Sequence, residues 1–248
     1  MAFKGVGFVL LQESVFDFYR LVQDLNAIGI NASKSDVSNS DDVPNLIYQE
    51  DDRQVIVAMM PAPVPDDEAV INAEANYLWE DAVAVTKTHQ AHLIVSVLGE
   101  KKESAKNAAL LAFVAEKCLA QETALGFNFA GTVFEPKSYM ELAHQHLQEQ
   151  TYPTDLLVYV GLYQSEEGRY GYTFGLESFG KRELEVLSSQ EDIWEIYQML
   201  YNISTYVITH DVTFQEGETL GYSETQKLTL TFSKGVALPE YDTIKIDF

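Results

Sequence analysis

An α+β fold follows from three observations. Apolar runs of strand length alternate with amphipathic runs at helical spacing, capping residues and turn pairs separate them, and 46% of the 248 residues are hydrophobic, enough for a large core. The first strand spans Gly5 to Leu11. Glu13 follows this run directly and no small-residue cleavage site is present, so the segment reads as a strand and not as a secretion signal. Ser14 is expected to cap the next helix with Asp17 completing the box and Gly29 stopping it, so that Val15, Phe18, Val22 and Leu25 share one face.

Residues 31–44 are rich in Ser, Asn and Asp and read as a solvated loop. A hairpin is expected next, with strands Leu46 to Gln49 and Gln54 to Met60 turning at Asp51-Asp52. Three prolines keep MPAPVP irregular, and Asp66 is expected to cap a helix to about Thr86 that buries Ala69, Ala73, Tyr77 and Trp79. AHLIVSVLG reads as a buried strand, and Ser104 to Leu119 as a helix whose apolar stripe takes in Cys118. Phe127 to Phe134 reads as a strand, and Ser138 with Glu141 as the capping box of a helix ending near Gln150. A second hairpin is expected around Glu167-Gly168 and a long helix capped by Ser189 and Asp192, with strands Lys227 to Phe232 and Thr243 to Asp247 last.

This order suggests two packed ferredoxin-like halves of βαββαβ type, residues 1–99 and 100–248. No apolar run approaches the roughly 20 residues of a membrane-spanning helix. A single cysteine excludes an internal disulfide and fits a reducing cytoplasm. The 38 acidic and 16 basic residues give a formal net charge of -22, which repels nucleic acid and anionic membranes and leaves a basic protein as the expected partner.

Local chemistry is sparse. No GxxxxGK[ST] or GxSxG run occurs, and Cys118 falls in a helical stripe, so no catalytic residue and no cofactor is assigned. His89 and His92 form the most metal-like local pattern, yet zinc takes three or four ligands and a third is not adjacent. His144 and His146 lie roughly 200° apart around a helix and read as surface and rim residues. DVSNSDD lacks the glycine and the closing glutamate of an EF-hand loop. Glycines 175, 180, 217 and 221 flank strands and read as backbone residues of tight turns.

The most idiosyncratic text lies between Tyr170 and Phe248. Gly175, Phe179-Gly180, Glu183, Gly217, Thr219, Gly221, Ser233-Lys234-Gly235 and a final apolar strand follow in an order that resembles the bacterial domain-of-unknown-function family 4261. Upstream, MPAPVP, NYLWEDAV and HQAHLIVSV resemble full-length members of the same group. The resemblance implies a soluble bacterial α+β protein and brings no activity, cofactor or catalytic residue.

Charge and the lack of catalytic motifs point to a non-enzymatic, immunity-like or regulatory protein that binds a basic partner. The alternative is a small-molecule binder or enzyme with a pocket between the halves, for which Glu177, Lys181, Glu218 and Thr219 are candidate binding residues, with His89 and His92 beside them. Tyrosines and phenylalanines, dense between Tyr152 and Tyr206, serve either as core or as an interface.

Overall fold

Helices and strands are mixed along the chain, as the periodicity requires of an α+β protein. The computed structural model describes residues 3, 5–40, 43–50, 52–74, 76–221 and 227–248. Two compact units form, Met1–Leu157 and Val158–Phe248.

In the first unit seven strands make one antiparallel sheet: β1 (Val6–Leu11), β2 (Val37–Ser40), β3 (Val43–Glu50), β4 (Arg53–Met60), β5 (Ala91–Leu98), β6 (Ala124–Phe129) and β7 (Thr132–Phe134). Their order is β2-β3-β4-β5-β1-β6-β7. The boundary expected after residue 99 falls inside this sheet, because β1 pairs with β5 on one edge and β6 on the other. The strands therefore do not divide there into two ferredoxin-like halves. Val9 and Leu11 face away from Leu10, and all three are fully buried, so both faces of β1 are covered. Helices α1 (Phe18–Ala27) and α4 (Ser104–Leu119) pack against each other, and α4 also packs on β1, β5 and β6. Short helices α2 (Glu68–Glu74) and α3 (Ala82–Thr86) close a cluster around Leu10, Val64, Ala69, Ala73, Ala82 and Val133. The larger members, Leu10, Val64 and Val133, each contribute roughly 1.5–3 kcal/mol on burial.

Several boundaries differ from the sequence reading for local reasons. Asp17, not Ser14, caps α1 by accepting the Arg20 N–H, which leaves Val15 outside the helix and exposed. The expected loop contains β2, whose Val37 pairs with Leu46. The β3–β4 hairpin forms around a turn that includes Asp52; Asp51, its expected partner, lies outside the described residues. Asp66 takes a left-handed φ of 55° and caps nothing, and the helix expected to Thr86 is broken in two. Asn76 sits in the break, accepting the Leu78 N–H and donating to the Val133 carbonyl, an alternative to helical bonding that short amide side chains favour. Trp79 packs on the apolar cluster, whereas Tyr77 is exposed. The strand expected over 127–134 is instead the β6–β7 hairpin, turned by Ala130 and Gly131 at positive φ. Helix α5 (Pro136–Glu149) starts two residues before the expected cap, with Pro136 in its first turn and Ser138 donating to Glu135.

The second unit is a six-stranded sheet of β8 (Tyr159–Ser165), β9 (Gly168–Phe174), β10 (Leu184–Ser189), β11 (Thr219–Gly221), β12 (Lys227–Lys234) and β13 (Asp242–Ile246), in the order β11-β12-β13-β10-β9-β8. The β10–β13 pair is parallel and its neighbours antiparallel. Helix α6 (Ile193–Thr209) lies over β8 and β9. Gly171 permits this approach, since a Cβ there would meet Ile196 at 2.6 Å and Leu200 at 2.8 Å. Neither β10 nor β11 was expected from the sequence. β10 alternates Leu184, Glu185, Val186, and a glutamate in a strand reads as solvent-facing until its partners are known.

Candidate functional site

Two buried glutamates shape the irregular segments around β10. Glu183 accepts from Thr173 Oγ1 at 2.8 Å and from the backbone N–H groups of Gly175 at 2.9 Å and Glu177 at 3.0 Å. It thereby closes the turn from Gly175 to Gly180, where Gly180 holds a φ of 71° that side chains disfavour. Burial raises the Glu183 pKa above its ordinary value, and the hydrogen bonds from Glu177, Thr173 and Gly175 oppose that rise without cancelling it. Glu185 accepts from the N–H groups of Val236 and Ala237, from Thr243 Oγ1, and from the Lys245 ammonium at 2.9 Å. Its burial also raises the pKa, but the Lys245 contact and the donated N–H groups outweigh it and leave the carboxyl below its ordinary value. The side chains of residues 183 and 185 therefore work inside the unit.

The residues singled out from sequence do not converge. Glu177 offers its backbone to Glu183 while the residue itself is exposed. Lys181 is nearly buried, its ammonium 2.6 Å from Asp211 Oδ1 and 3.1 Å from Thr213 Oγ1. Glu218 Oε2 accepts the Gln215 N–H within its own loop, and Thr219 pairs with Thr229 at the β11 edge. His89 and His92 are both buried in the first unit. His89 Nε2 accepts the Val64 N–H at 2.9 Å while Nδ1 faces the Thr86 carbonyl, which assigns the Nδ1–H tautomer. His92 Nδ1 donates to the Ala62 carbonyl at 2.8 Å, and burial lowers its pKa. Both imidazoles pin the proline-rich segment to the sheet. Among the described residues no three His, Cys, Asp or Glu side chains are placed to hold a metal ion. Cys118 is fully buried and burial raises its thiol pKa, away from the reactive thiolate.

His146 corrects another expectation. It is buried, on the inward line Tyr139, Ala143, His146 of α5, where a surface or rim position was expected. Its Nδ1 lies 2.7 Å from Thr151 Oγ1 and its Nε2 2.7 Å from Asp155 Oδ1. The i, i+4, i+7 spacing in the sequence carried this signal. The group closes the C-terminal end of α5, where Thr151 N–H also donates to the His146 carbonyl.

Helix α6 carries aromatic side chains on more than one face. Its inward stripe is Ile196, Met199, Leu200, Ile203 and Val207. On another face Trp194 packs edge-on against Tyr197 at 6.0 Å, and Tyr197 stacks on Tyr201 at 6.3 Å and 15°. Trp194 is 59% exposed. Glu191, Asp192 and Glu195 are exposed at the same helix end, Asp192 capping the helix through the Trp194 N–H. The β8–β9 hairpin carries a separate pair, Tyr163 stacked on Tyr170 at 4.7 Å, on the sheet face opposite α6, since it is the neighbouring Gly171 that turns toward Ile196 and Leu200; Glu166 and Glu167 are exposed at its turn. The α6 surface is thus an aromatic ridge, Trp194 exposed and Tyr197 and Tyr201 half-buried, beside the carboxylates of Glu191, Asp192 and Glu195.

Comparison with known proteins places one part of this chain. Residues 172–247 match a family model described as Domain of unknown function (DUF4261), over the region whose motifs carried the resemblance. No curated protein and no solved structure matches. Among the described residues, no helix is long and apolar enough to cross a membrane.

Proposed function

We propose that this chain is a non-enzymatic interaction protein of the cytoplasm, with a regulatory or immunity-like role, whose α6 surface receives an arginine-bearing segment of a basic protein. The supporting observation is the ridge of Trp194, Tyr197 and Tyr201 beside Glu191, Asp192 and Glu195, in a chain of net charge -22. Aromatic side chains that reach the surface in this way form interface centres, because rigid rings bury large area at small entropic cost. A guanidinium stacked on such a ring gains about 0.5–1 kcal/mol while exposed and about 2 kcal/mol once desolvated. The surrounding carboxylates attract the same cation over longer range and raise the association rate.

The test is calorimetric titration with two peptides of equal charge, one alternating Arg and Gly and the other Lys and Gly. Affinity for the Arg peptide exceeds that for the Lys peptide, since the planar guanidinium stacks and the ammonium does not, and both weaken as salt is raised. Equal affinity for the two peptides, or binding indifferent to salt, overturns the proposal.

A further inference from the structure

Only six of the chain's 16 lysines and arginines lie in residues 158–248, and two of them, Lys181 and Arg182, edge one cavity. It opens where α6 ends. The chain turns at Asp211, φ 50°, and the Val212 N–H returns to the Val207 carbonyl, so the helix stops short and leaves part of the sheet beside it uncovered. Leu184, Val207, Val212, Phe214 and Ile244 line the resulting space of about 130 Å³. Every one of these residues falls within the matched family region.

The rim is cationic and the wall apolar, and the two features constrain a ligand together. Lys181 is 8% exposed, and two of its three N–H donors are accounted for by Asp211 and Thr213. Asp211 is 76% exposed, so the ion pair has one buried and one solvated partner. The Arg182 guanidinium stands 4.7 Å from the Phe232 ring, which holds it in place without an acid partner among the described ion pairs. A buried ammonium with a donor to spare, next to a guanidinium fork, is suited to a carboxylate. A cavity near 150 Å³ accommodates benzene, which sets the size of the apolar body.

We infer that this cavity binds a small monocarboxylate with an apolar body about the size of a benzene ring, its carboxylate at Lys181 and Arg182 and its body against Leu184, Val207 and Phe214. The site is independent of the α6 aromatic ridge. A chain so acidic repels free anions in general, so a saturable carboxylate site requires local cations of this sort.

Titration of the full chain with benzoate, followed by amide NMR, tests the inference, with benzyl alcohol as the neutral ring of like size. Saturable shifts are expected at residues 180–184, 207–214 and 244, with benzoate at least about ten-fold tighter than the alcohol, the factor that 1.4 kcal/mol of charge-assisted bonding gives. Arg182→Gln, at an exposed position, weakens benzoate about ten-fold and leaves the alcohol unchanged. Asp211→Asn tightens benzoate, because a like charge next to the Lys181 ammonium is removed. Shifts scattered over the surface, no saturation, equal affinity for the alcohol, or indifference to both substitutions overturns the inference.

Discussion

The two units solve one problem with different chemistry. Each has an irregular segment rich in proline or glycine that must be tied to a sheet. In Met1–Leu157 the ties are imidazoles, His89 to Val64 and Thr86 and His92 to Ala62. In Val158–Phe248 they are carboxylates, Glu183 to the 175–177 turn and Glu185 to residues 236–237 and Lys245. A neutral ring makes one or two bonds and is cheap to bury. A carboxylate gathers three or more donors, but its removal strands them all, and the unit that uses it is the more exposed to a single substitution.

The largest effect is therefore expected at Glu185. Glu185→Ala leaves the Lys245 ammonium without its partner in a buried position, and a loss of about 3–5 kcal/mol is expected in urea unfolding. His89→Ala strands one backbone N–H, for roughly 1–3 kcal/mol. Equal losses at the two positions would dissolve the contrast.

Acid separates the ties further. The folded pKa of Glu185 is depressed, so its stabilisation is present above the ordinary carboxylate value of 4.5 and is lost as pH falls through the folded value. That of Glu183 is raised, so the folded state holds the extra proton and stability falls as pH rises from the ordinary value through the folded one. Lowering the pH should therefore shrink the stability advantage of wild type over Glu185→Gln and enlarge that over Glu183→Gln, two residues away. Paired urea titrations at pH 7 and pH 4 read both signs. For His92 the folded pKa lies below the ordinary 6.5, so the unfolded state binds the proton first and stability is lost as pH falls below that value. Taken relative to the intrinsic rate at each pH, hydrogen exchange at the Ala62 and Val64 amides should lose protection between pH 7.5 and pH 5.5 before it changes at residues 175–183.

The smallest effect on stability is expected where the proposed function lies. Trp194→Ala removes an exposed ring from a helix surface and should change unfolding free energy by no more than about 0.5 kcal/mol, while weakening the Arg peptide.

Much of this layout was legible in the sequence because it rests on local periodicity. The helix from Ser104 to Leu119 is found with the boundaries its stripe demands, Cys118 is core, and the Glu167-Gly168 hairpin forms where its turn pair stands. Long-range pairing was not legible. The placement of β1 between β5 and β6 depends on partners eighty or more residues away, so the division at residue 99 had nothing local to contradict it. The same holds for the site. Lys181 was singled out from a polar run, but its burial and its partner Asp211, thirty residues on, exist only in the fold. Glu183 entered as one motif residue among many, and Glu185 entered not at all, since neither carboxylate announces its donors in the sequence. The α6 aromatics were visible as a cluster, and only the inward stripe of Ile196, Met199, Leu200 and Ile203 decides that Trp194 faces water.

The most direct measurement compares wild type with the triple variant Trp194→Ala, Tyr197→Ala, Tyr201→Ala on a column bearing the Arg-Gly peptide, eluted with rising salt. The three substitutions leave the net charge at -22, and alanine preserves the helix. If the aromatic ridge receives the basic segment, the variant elutes at clearly lower salt than wild type. Elution of both at the same salt would mean that charge alone holds the peptide and that the α6 surface is not the site.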